Sequence, residues 1–413
     1  MGWSSSKKNK KLMSINRVVL AGVFSFPEGQ AASSRILNLT RGLMDHIDDV
    51  QVISAYHKED EKVFHTKGTY VFQNKRIPHR AIAPFQFTGT KALERINIRL
   101  RYYKHIQDLV NVIIEELRGD EEEMIFLYGR SYSFLSLLLR KIKNRKYKTN
   151  VIFDVVEPPR VEISYLEYLK HPFVWESVLV FKRLLHKFDA CTFITYKLHQ
   201  KFGSKTNKYA IIPSVLYQSK KSMDVNFNQD IIKIGYLGAL IGKDYPELLY
   251  EICLDLYKKN KTFKLVIIGR FRKFAEGRSW EKTFLNSPFK DSIELHFNPN
   301  EKTKANLIKS VNFIVLFRKP EPLQAYTFPT RVVEVLGFGK VVVLNDFGDL
   351  SKYFVDGENS ILFSTKIEEL NSDKIINVNN NECYIKLATN GELLLQNDFC
   401  ASIQAKKILN LFK

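Results

Sequence analysis

Short, continuously apolar runs alternate along the chain with longer segments in which apolar residues recur every three or four positions. Such runs are typical of strands buried on both faces of a parallel sheet, and the longer pattern predicts amphipathic helices between them. In the first half the predicted strands are 17–24, 51–55, 124–128, 151–155 and 190–194. The predicted helices there are 33–45, 91–117, 134–143 and 172–187. The first 55 residues therefore predict a parallel βαβ unit with a Pro/Gly loop after its first strand.

A second series of strands and helices follows the polar, linker-like segment 218–230. Its predicted strands are 231–235, 263–268, 293–297, 312–316 and 341–345. Its predicted helices are 246–259, 330–337, 382–396 and 401–412. We predict a flexible basic tail over 1–13, one Rossmann-like domain over 14–217, a second over 231–395, and a C-terminal helix within 396–413 that packs back on the first domain. The predicted fold class is α/β, with two doubly wound domains in tandem.

The composition is that of an ordinary globular protein, with 45% hydrophobic and 26% charged residues, which excludes disordered, collagen-like and coiled-coil classes. Charges interrupt the apolar runs well before they reach the length of a membrane-spanning helix. The N-terminal lysines precede a short strand, unlike the pattern of a signal peptide. The four cysteines form no CxxC pair, which argues against a disulfide framework or structural zinc. We therefore expect a cytoplasmic protein.

The net charge of +19 is unevenly distributed. Residues 1–215 hold 35 basic and 21 acidic residues (+14), which leaves 28 and 23 (+5) for residues 216–413. Basic side chains are concentrated in 95–104 and 140–148, with Tyr102, Tyr103 and Trp175 nearby. These stretches are either solvated faces or a surface for an anionic partner. We favour the inner face of the cell membrane over nucleic acid, for which the sequence contains no known binding module.

Candidate chemistry is concentrated in the segment 327–339, TFPTRVVEVLGFG, and the strand that follows it. Pro329 and Thr330 open a predicted helix, and Glu334 follows one turn later, so a carboxylate that can bind hydroxyls lies near a helix start that favours phosphate. The alternative is that Thr330 only caps the helix and that Glu334 is solvated. Gly242-Lys243 resembles the end of a P-loop only weakly, because Asp244 stands where Ser or Thr would hold magnesium. No HExxH, GxSxG or GxGxxG motif occurs, and we expect no metal site.

This block, FPTRVVEVLGFGKVVVLND with GDLSKYFVDGENSILF behind it, resembles the donor-binding block of family-4-type glycosyltransferases of the GT-B fold. Two further segments resemble that family: FSFPEGQAASSRILNLTRGL matches its first glycine loop and helix, and IGYLGALIGKDYPELL matches the start of its second domain. The resemblance spans about residues 15–400. It implies two Rossmann-like domains with a cleft between them, and transfer of a sugar from a nucleoside-diphosphate sugar to an acceptor.

On the donor side, the resemblance implies that Glu334 holds the ribose hydroxyls and that Pro329 and Thr330 start the phosphate-facing helix. Lys243 would face the pyrophosphate, close to Gly238 at the end of the preceding strand.

On the acceptor side, the resemblance implies that Gly29 allows close approach of the backbone to the substrates. Arg35, in the helix after it, and His57, after the second strand, are further predicted cleft residues. Arg130 and Glu157 follow predicted strands of the first domain, so we expect both to point into the cleft near the acceptor.

The sequence also departs from the family pattern. Tyr326 occupies the position of the family's first paired glutamate, eight residues before Glu334, and we keep it as a donor-site residue. Ala239 stands where a basic residue is usual, and Arg270 or Arg318 is expected to substitute for it.

Several of these predictions have plain structural alternatives. Arg130 and Glu157 could form a surface ion pair, Lys243 could be a solvated helix-start lysine, and Arg270 could lie on the surface. His57 could be a structural loop residue.

The resemblance thus implies a hexosyl-type glycosyltransferase that acts with retention. We expect it to work without a metal or cofactor, on a lipid-linked acceptor or a cell-surface glycan precursor. Two alternatives remain open. One is a catalytically degenerate GT-B protein that serves as a binding or scaffold partner. The other is a nucleotide-sugar epimerase of the same fold, for which no convincing acid–base set is present.

Overall fold

The structure is a computed structural model of the 413-residue chain. It describes residues 15–27, 31–56, 67–72, 75–82, 92–159, 172–217 and 231–413, without the side chains of 56, 67, 72, 92–99 and 172–174. The predicted tail 1–13 and linker 218–230 lie outside the described residues.

The first half of the chain forms an eight-stranded sheet with the order β3-β4-β2-β1-β5-β6-β7-β8. The strands are β1 (Arg17–Ser25), β2 (Asp49–Tyr56), β3 (Lys67–Phe72), β4 (Lys75–Ala81), β5 (Glu123–Tyr128), β6 (Asn150–Val155), β7 (Ala190–Phe193) and β8 (Tyr209–Ile211). β3 runs antiparallel to β4, and the other pairings are parallel. The chain order reverses between β1 and β5, which makes the carboxyl ends of these two strands the switch point.

Helices connect the parallel strands of this sheet. They are α1 (Ala31–Leu43), α2 (Ala92–Glu116), α3 (Tyr132–Asn144), α4 (Pro172–Arg183) and α5 (Tyr196–Phe202). Ser131 caps α3 because its hydroxyl accepts the free backbone N–H of Phe134 at 3.2 Å. The capped end places the start of α3 directly after the carboxyl end of β5.

The second half forms a six-stranded parallel sheet with the order β11-β10-β9-β12-β13-β14. The strands are β9 (Ile232–Leu237), β10 (Phe263–Gly269), β11 (Ile293–Phe297), β12 (Phe313–Leu316), β13 (Val341–Asn345) and β14 (Ile361–Phe363). The helices are α6 (Pro246–Lys258), α7 (Ala275–Leu285), α8 (Glu301–Ser310), α9 (Arg331–Gly337), α10 (Asp373–Val378), α11 (Asn381–Asn397) and α12 (Ala401–Leu409). Its switch point lies between β9 and β12.

The predicted α/β fold with two doubly wound sheets is confirmed. All ten predicted strands are present, within one or two residues at either end. The β3–β4 hairpin, the edge strands β8 and β14, and the helices α5, α7, α8 and α10 were not predicted. The strands β8 and β14 and the helices α5 and α10 are too short to show a period, and α7 and α8 are largely polar. The C-terminal helix α12 lies on α1 of the first domain. Gly42 allows this contact, because a Cβ there would stand 2.3 Å from the carbonyl oxygen of Ala401.

The two halves meet through hydrogen bonds. The Thr195 hydroxyl donates to the backbone carbonyl of Tyr326 at 3.1 Å, and the backbone N–H of Lys197 donates to Asp349 at 3.0 Å. The backbone N–H of Leu216 donates to the carbonyl oxygen of Phe399 at 2.9 Å, and the Phe399 ring packs against Phe328 within the second half. These contacts bring the carboxyl ends of the two sheets towards each other.

Candidate active site

The carboxyl edge of the second sheet begins with two adjacent strand ends that only glycine can form. A Cβ on Gly269, at the end of β10, would stand 1.7 Å from the carbonyl oxygen of Gly238, which follows β9. Gly269 also has a φ of +159°, which side chains rarely adopt. The predicted donor residue Gly238 therefore belongs to a close backbone contact at the base of this edge.

Lys243 lies in the loop after β9. Lys243 is exposed, yet the surrounding protein displaces part of the water around its ammonium, and this desolvation together with the charge of nearby Arg318 lowers its pKa. Glu157 of the first domain acts in the opposite direction and raises the pKa of Lys243. Lys243 is therefore within electrostatic reach of a carboxylate across the cleft, as expected for a residue that faces both domains.

Asp244 closes the loop that carries Lys243. One carboxylate oxygen accepts the backbone N–H of Ala239 at 3.0 Å, and the other accepts the Arg318 guanidinium at 2.9 Å. Asn345 accepts the backbone N–H of Arg318 at 2.8 Å, which fixes the end of β12 as well. The loop is thus tied to two strands of the sheet.

Arg318 does not occupy the position predicted for it. Only 7% of the residue is exposed, and Asp244 engages its guanidinium. Burial lowers the pKa of this guanidinium, and the ion pair with Asp244 raises it. Arg318 therefore stabilises the loop of Lys243 through Asp244, and its guanidinium is too buried to bind a phosphate.

Arg331 is a basic residue of this edge that the sequence analysis missed. It is the first residue of α9, is half-buried, and donates to the carbonyl oxygen of Leu237 at 2.7 Å. Its charge contributes to lowering the pKa values of both Lys243 and Arg318, so the three cations lie close together. Its position inside the donor-like block, next to Thr330, was the signal that could have found it.

Glu334 lies one turn into α9, with 34% of its side chain exposed. Its carboxylate accepts a hydrogen bond from Lys304 of α8 at 2.5 Å, and Lys304 also lies 3.8 Å from Glu301. Pro329 is buried, and Thr330 precedes the helix without a side-chain capping bond. Glu334 is therefore accessible, but it is paired with a lysine that the sequence analysis did not single out.

Arg270 follows β10 and is exposed. Its Nε donates to the side-chain oxygen of Asn298, after β11, at 2.9 Å. Arg270 and Lys243 thus follow adjacent strands of the sheet, whereas Glu334 lies on α9. Tyr326 is placed differently, because its ring lies 4.6 Å from the ammonium of Lys201 in the first domain. Its backbone also bonds to that domain, so Tyr326 is a domain-contact residue.

A pocket of about 440 Å³ opens at the carboxyl edge of the first sheet, close to the switch point of β1 and β5. This is within the usual range for small-molecule sites. Arg130 and Glu157 both line it and are paired with each other at 2.9 Å, and Arg130 also donates to the carbonyl oxygen of Pro158 at 3.0 Å. Arg130 and Glu157 therefore line a pocket at the strand ends and also form the ion pair that was the structural alternative.

The prediction that Arg35 lies in the cleft is wrong. The residue is 4% exposed, and its guanidinium makes two hydrogen bonds to Asp154, at 2.7 and 2.9 Å. It also donates to the carbonyl oxygens of Ile212 and Pro213. All of its donor atoms are used inside the domain, where they join α1 to the ends of β6 and β8.

The predicted cleft residues Gly29 and His57 lie outside the described residues. Within the parts of the chain that the structure describes, no group of three or more His, Cys, Asp or Glu side chains could hold a metal ion. No helix among those parts is long and apolar enough to cross a membrane.

Residues 218–392 match the protein family Glycosyl transferases group 1. No curated protein matches the chain by sequence. The fold resembles solved structures at low identity, of which three follow. Sucrose-phosphate synthase from Thermosynechococcus elongatus is 12% identical (TM-score 0.65; 96% of this chain and 98% of that one covered). A glycosyltransferase from Rickettsia africae is 13% identical (0.64; 96% and 98%). An Anabaena protein, HepE, in complex with UDP and glucose is 12% identical (0.61; 95% and 98%).

The family match covers the second domain, and the structural likeness covers nearly the whole chain. The two sheets and their switch points have the arrangement of the GT-B fold. The resemblance found in the sequence is thereby confirmed: the chain has the GT-B fold, and residues 218–392 match the glycosyl transferases group 1.

Proposed function

We propose that this protein transfers a hexosyl group from a nucleoside-diphosphate sugar to an acceptor hydroxyl, with retention of configuration and without a metal. The observation that carries the proposal is the arrangement of Lys243 and Arg331 at the carboxyl edge of the second sheet, opposite the pocket of the first. Lys243 and Arg331 suit a diphosphate, and Glu334, which follows Arg331 by three residues on α9, suits the hydroxyls of a ribose. The Anabaena neighbour, which was solved with UDP and glucose, supports a donor of this kind.

In the proposed reaction the bond between the anomeric carbon and the diphosphate oxygen breaks, and a bond to the acceptor oxygen forms. The acceptor proton passes to the departing diphosphate. Lys243 and Arg331 would stabilise the negative charge that develops on this leaving group, and preorganised cations in a partly dehydrated cleft do so most effectively. Arg318 and Asp244 would act indirectly by holding the loop of Lys243 in place.

We further propose that the acceptor is lipid-linked or a glycan precursor at the inner face of the membrane. Three exposed apolar side chains support this: Leu100 (64% exposed), Tyr103 (49%) and Trp175 (38%). Arg101 and Lys104 lie beside them on α2, exposed as well. The neighbours Tyr102 and Glu176 line the acceptor pocket, so this surface borders the cleft.

The second basic stretch, 140–148, lies elsewhere. It covers the last turn of α3 and the loop before β6, so it is at the amino edge of the sheet, away from the carboxyl edge that carries the pocket. Liposome flotation can separate the two surfaces. Neutralising Arg101 and Lys104 with Gln should weaken binding to anionic vesicles at low salt, since each basic residue contributes about 1 kcal/mol. The same change at Arg145 and Lys146 is the matched control, and an equal loss in both variants would contradict the assignment.

Donor binding is tested by thermal shift with UDP, GDP, ADP, dTDP, CMP and their sugar conjugates. A nucleotide at 100 times its dissociation constant should stabilise the protein by about 2.7 kcal/mol. Glu334→Ala should abolish this shift, whereas Glu301→Ala, which removes the other carboxylate near Lys304, should keep it. Stabilisation by none of the ligands would contradict the proposal and favour a degenerate binding protein.

A further inference from the structure

The pocket of the first domain carries a polar wall that the donor chemistry does not use. Glu176 of α4 lines this pocket, and its carboxylate accepts hydrogen bonds from two serines at the start of α3. Ser131 donates to one oxygen at 2.6 Å, and Ser133 donates to the other. The hydroxyl of Tyr102 donates to Ser131 at 2.9 Å and lies 3.4 Å from the same carboxylate oxygen.

The carboxylate of Glu176 has hydrogen-bond acceptor capacity that its protein partners do not use. A carboxylate offers about four lone-pair directions, and the two serines occupy one on each oxygen. Ser131 is saturated, since it also accepts from Tyr102 and from the N–H of Phe134. Glu176 can therefore accept further hydrogen bonds, and it has none to donate while ionised. The wall suits a ligand that brings its own O–H groups.

The charges around the pocket point the same way. Asp154 is neutralised from behind by Arg35, and Glu157 by Arg130. In the part of the chain that the structure describes, no lysine or arginine pairs with Glu176. The described walls therefore carry one uncompensated negative charge, which repels a phosphate or carboxylate and tolerates a neutral ligand.

The remaining walls suit the body of a sugar. Val23 and Val156 supply apolar surface, and Tyr128 supplies an aromatic one. Burial raises the pKa of Tyr128 well above its ordinary value, so its phenol stays neutral. Glu157, at the mouth, lies within electrostatic reach of Lys243, which directs the pocket towards the proposed donor site.

We propose that this pocket binds the acceptor as a neutral, hydroxyl-rich sugar, and that Glu176, held by Ser131 and Ser133, excludes phosphorylated sugars. That the bound sugar is the acceptor rests on the proposed function, whereas the preference of the pocket for neutral sugars does not depend on it. It separates this protein from sucrose-phosphate synthase, which has a similar fold and whose name specifies a phosphorylated product.

The test measures binding of the full chain to neutral mono- and disaccharides and to their 6-phosphates by saturation-transfer NMR and calorimetry, without nucleotide. We expect at least one neutral sugar to bind, and its phosphate to bind about tenfold more weakly or worse, which corresponds to about 1.4 kcal/mol. Glu176→Gln keeps the shape of the side chain and removes its charge, so it should reduce the difference in affinity between the neutral sugar and its phosphate. Ser133→Ala should weaken binding of the neutral sugar without narrowing the ratio. The distant, exposed Glu358→Gln is the control and should change neither.

Three outcomes would each overturn the proposal. The 6-phosphates could bind as tightly as the neutral sugars, the affinity ratio of neutral sugar to phosphate could stay unchanged in Glu176→Gln, or no sugar could bind at all. The melting temperature of each variant checks that it is folded. Nucleotide binding measured on the same preparation distinguishes the two failures. If the protein bound nucleotides but no sugars, the donor proposal would stand and the pocket proposal would fall. If it bound sugars but no nucleotides, only the pocket proposal would stand.

Discussion

Replacing Asp154 with asparagine should destabilise the first domain strongly, because it removes the partner of a buried arginine. Arg35 makes two hydrogen bonds to Asp154, and both side chains are almost fully buried. Thr192 also donates to the carboxylate at 2.7 Å. Asparagine keeps the size of the side chain but offers one acceptor oxygen in place of two and no charge.

The magnitude follows from the burial. Breaking a buried ion pair on one side costs about 3–5 kcal/mol, since the remaining charge is left without a partner. For a domain of about 200 residues, each kcal/mol lowers the melting temperature by roughly 2–4 °C, so we expect a fall of roughly 6–20 °C. Replacing both partners, as in Arg35→Met with Asp154→Leu, should cost much less than the two single changes together.

Urea unfolding followed by tryptophan fluorescence and circular dichroism measures the effect. Trp280→Phe leaves Trp175 of α4 as the fluorophore within the first sheet-and-helix domain. Glu121→Gln is the matched control, because it breaks an exposed ion pair with Lys148 in the same domain. If Asp154→Asn unfolded at the same urea concentration as this control, the Arg35–Asp154 ion pair would not stabilise the first domain as inferred from its burial.

Three further predictions follow from the second domain and from the C-terminal helix. Glu334→Gln should weaken nucleotide binding about tenfold or more through the loss of charged hydrogen bonds, measured by calorimetry, whereas the same change at Glu301 should not. Burial lowers the pKa of Lys340 to about 8 from 10.5, so the unfolded state binds more protons between these values and stability should rise with pH there; Lys340→Met should flatten this slope in urea titrations. Gly42→Ala should displace α12 and speed hydrogen exchange over 401–409, because the new Cβ would meet Ala401.

Each of these predictions has an outcome that contradicts it. Equal losses at Glu334 and Glu301 would indicate a general charge effect. A stability curve that stays flat above pH 8 in the wild type would mean that Lys340 is not desolvated as described. Unchanged exchange in Gly42→Ala would show that the close contact with Ala401 relaxes at no cost.

The strands and the two-domain order were predictable, because buried parallel strands are continuous apolar runs that need no tertiary information. The edge strand β11 was predicted, whereas the edge strand β14 and the helix α8 were missed. β14 is only three residues long and α8 is polar, so neither shows a clear apolar pattern, and both depend on packing against neighbouring elements. The missed helix α8 matters for function, since Lys304 on it is the partner of Glu334.

Within the site, position after a strand was predictable and side-chain direction was not. Arg35 and Arg318 follow the pattern of the cleft, yet both point into the protein and bind buried carboxylates. An isolated sequence cannot show that Asp154 or Asp244 will claim an arginine, because the partners are 119 and 74 residues away. Arg331 was overlooked although it stands beside Thr330 in the most informative block.

The placement of Tyr326 explains how the fold tolerates its departure from the family pattern. Eight residues before Glu334, the family carries a carboxylate, and here the ring of a tyrosine contacts Lys201 while its backbone carbonyl accepts a hydrogen bond from Thr195 of the first domain. A carboxylate could pair with Lys201, but it could not supply the aromatic face and apolar contact that a ring provides. The position has thus become part of the domain junction. If the protein transfers sugar as proposed, the hydroxyls of the donor sugar must then be held by other groups of the cleft.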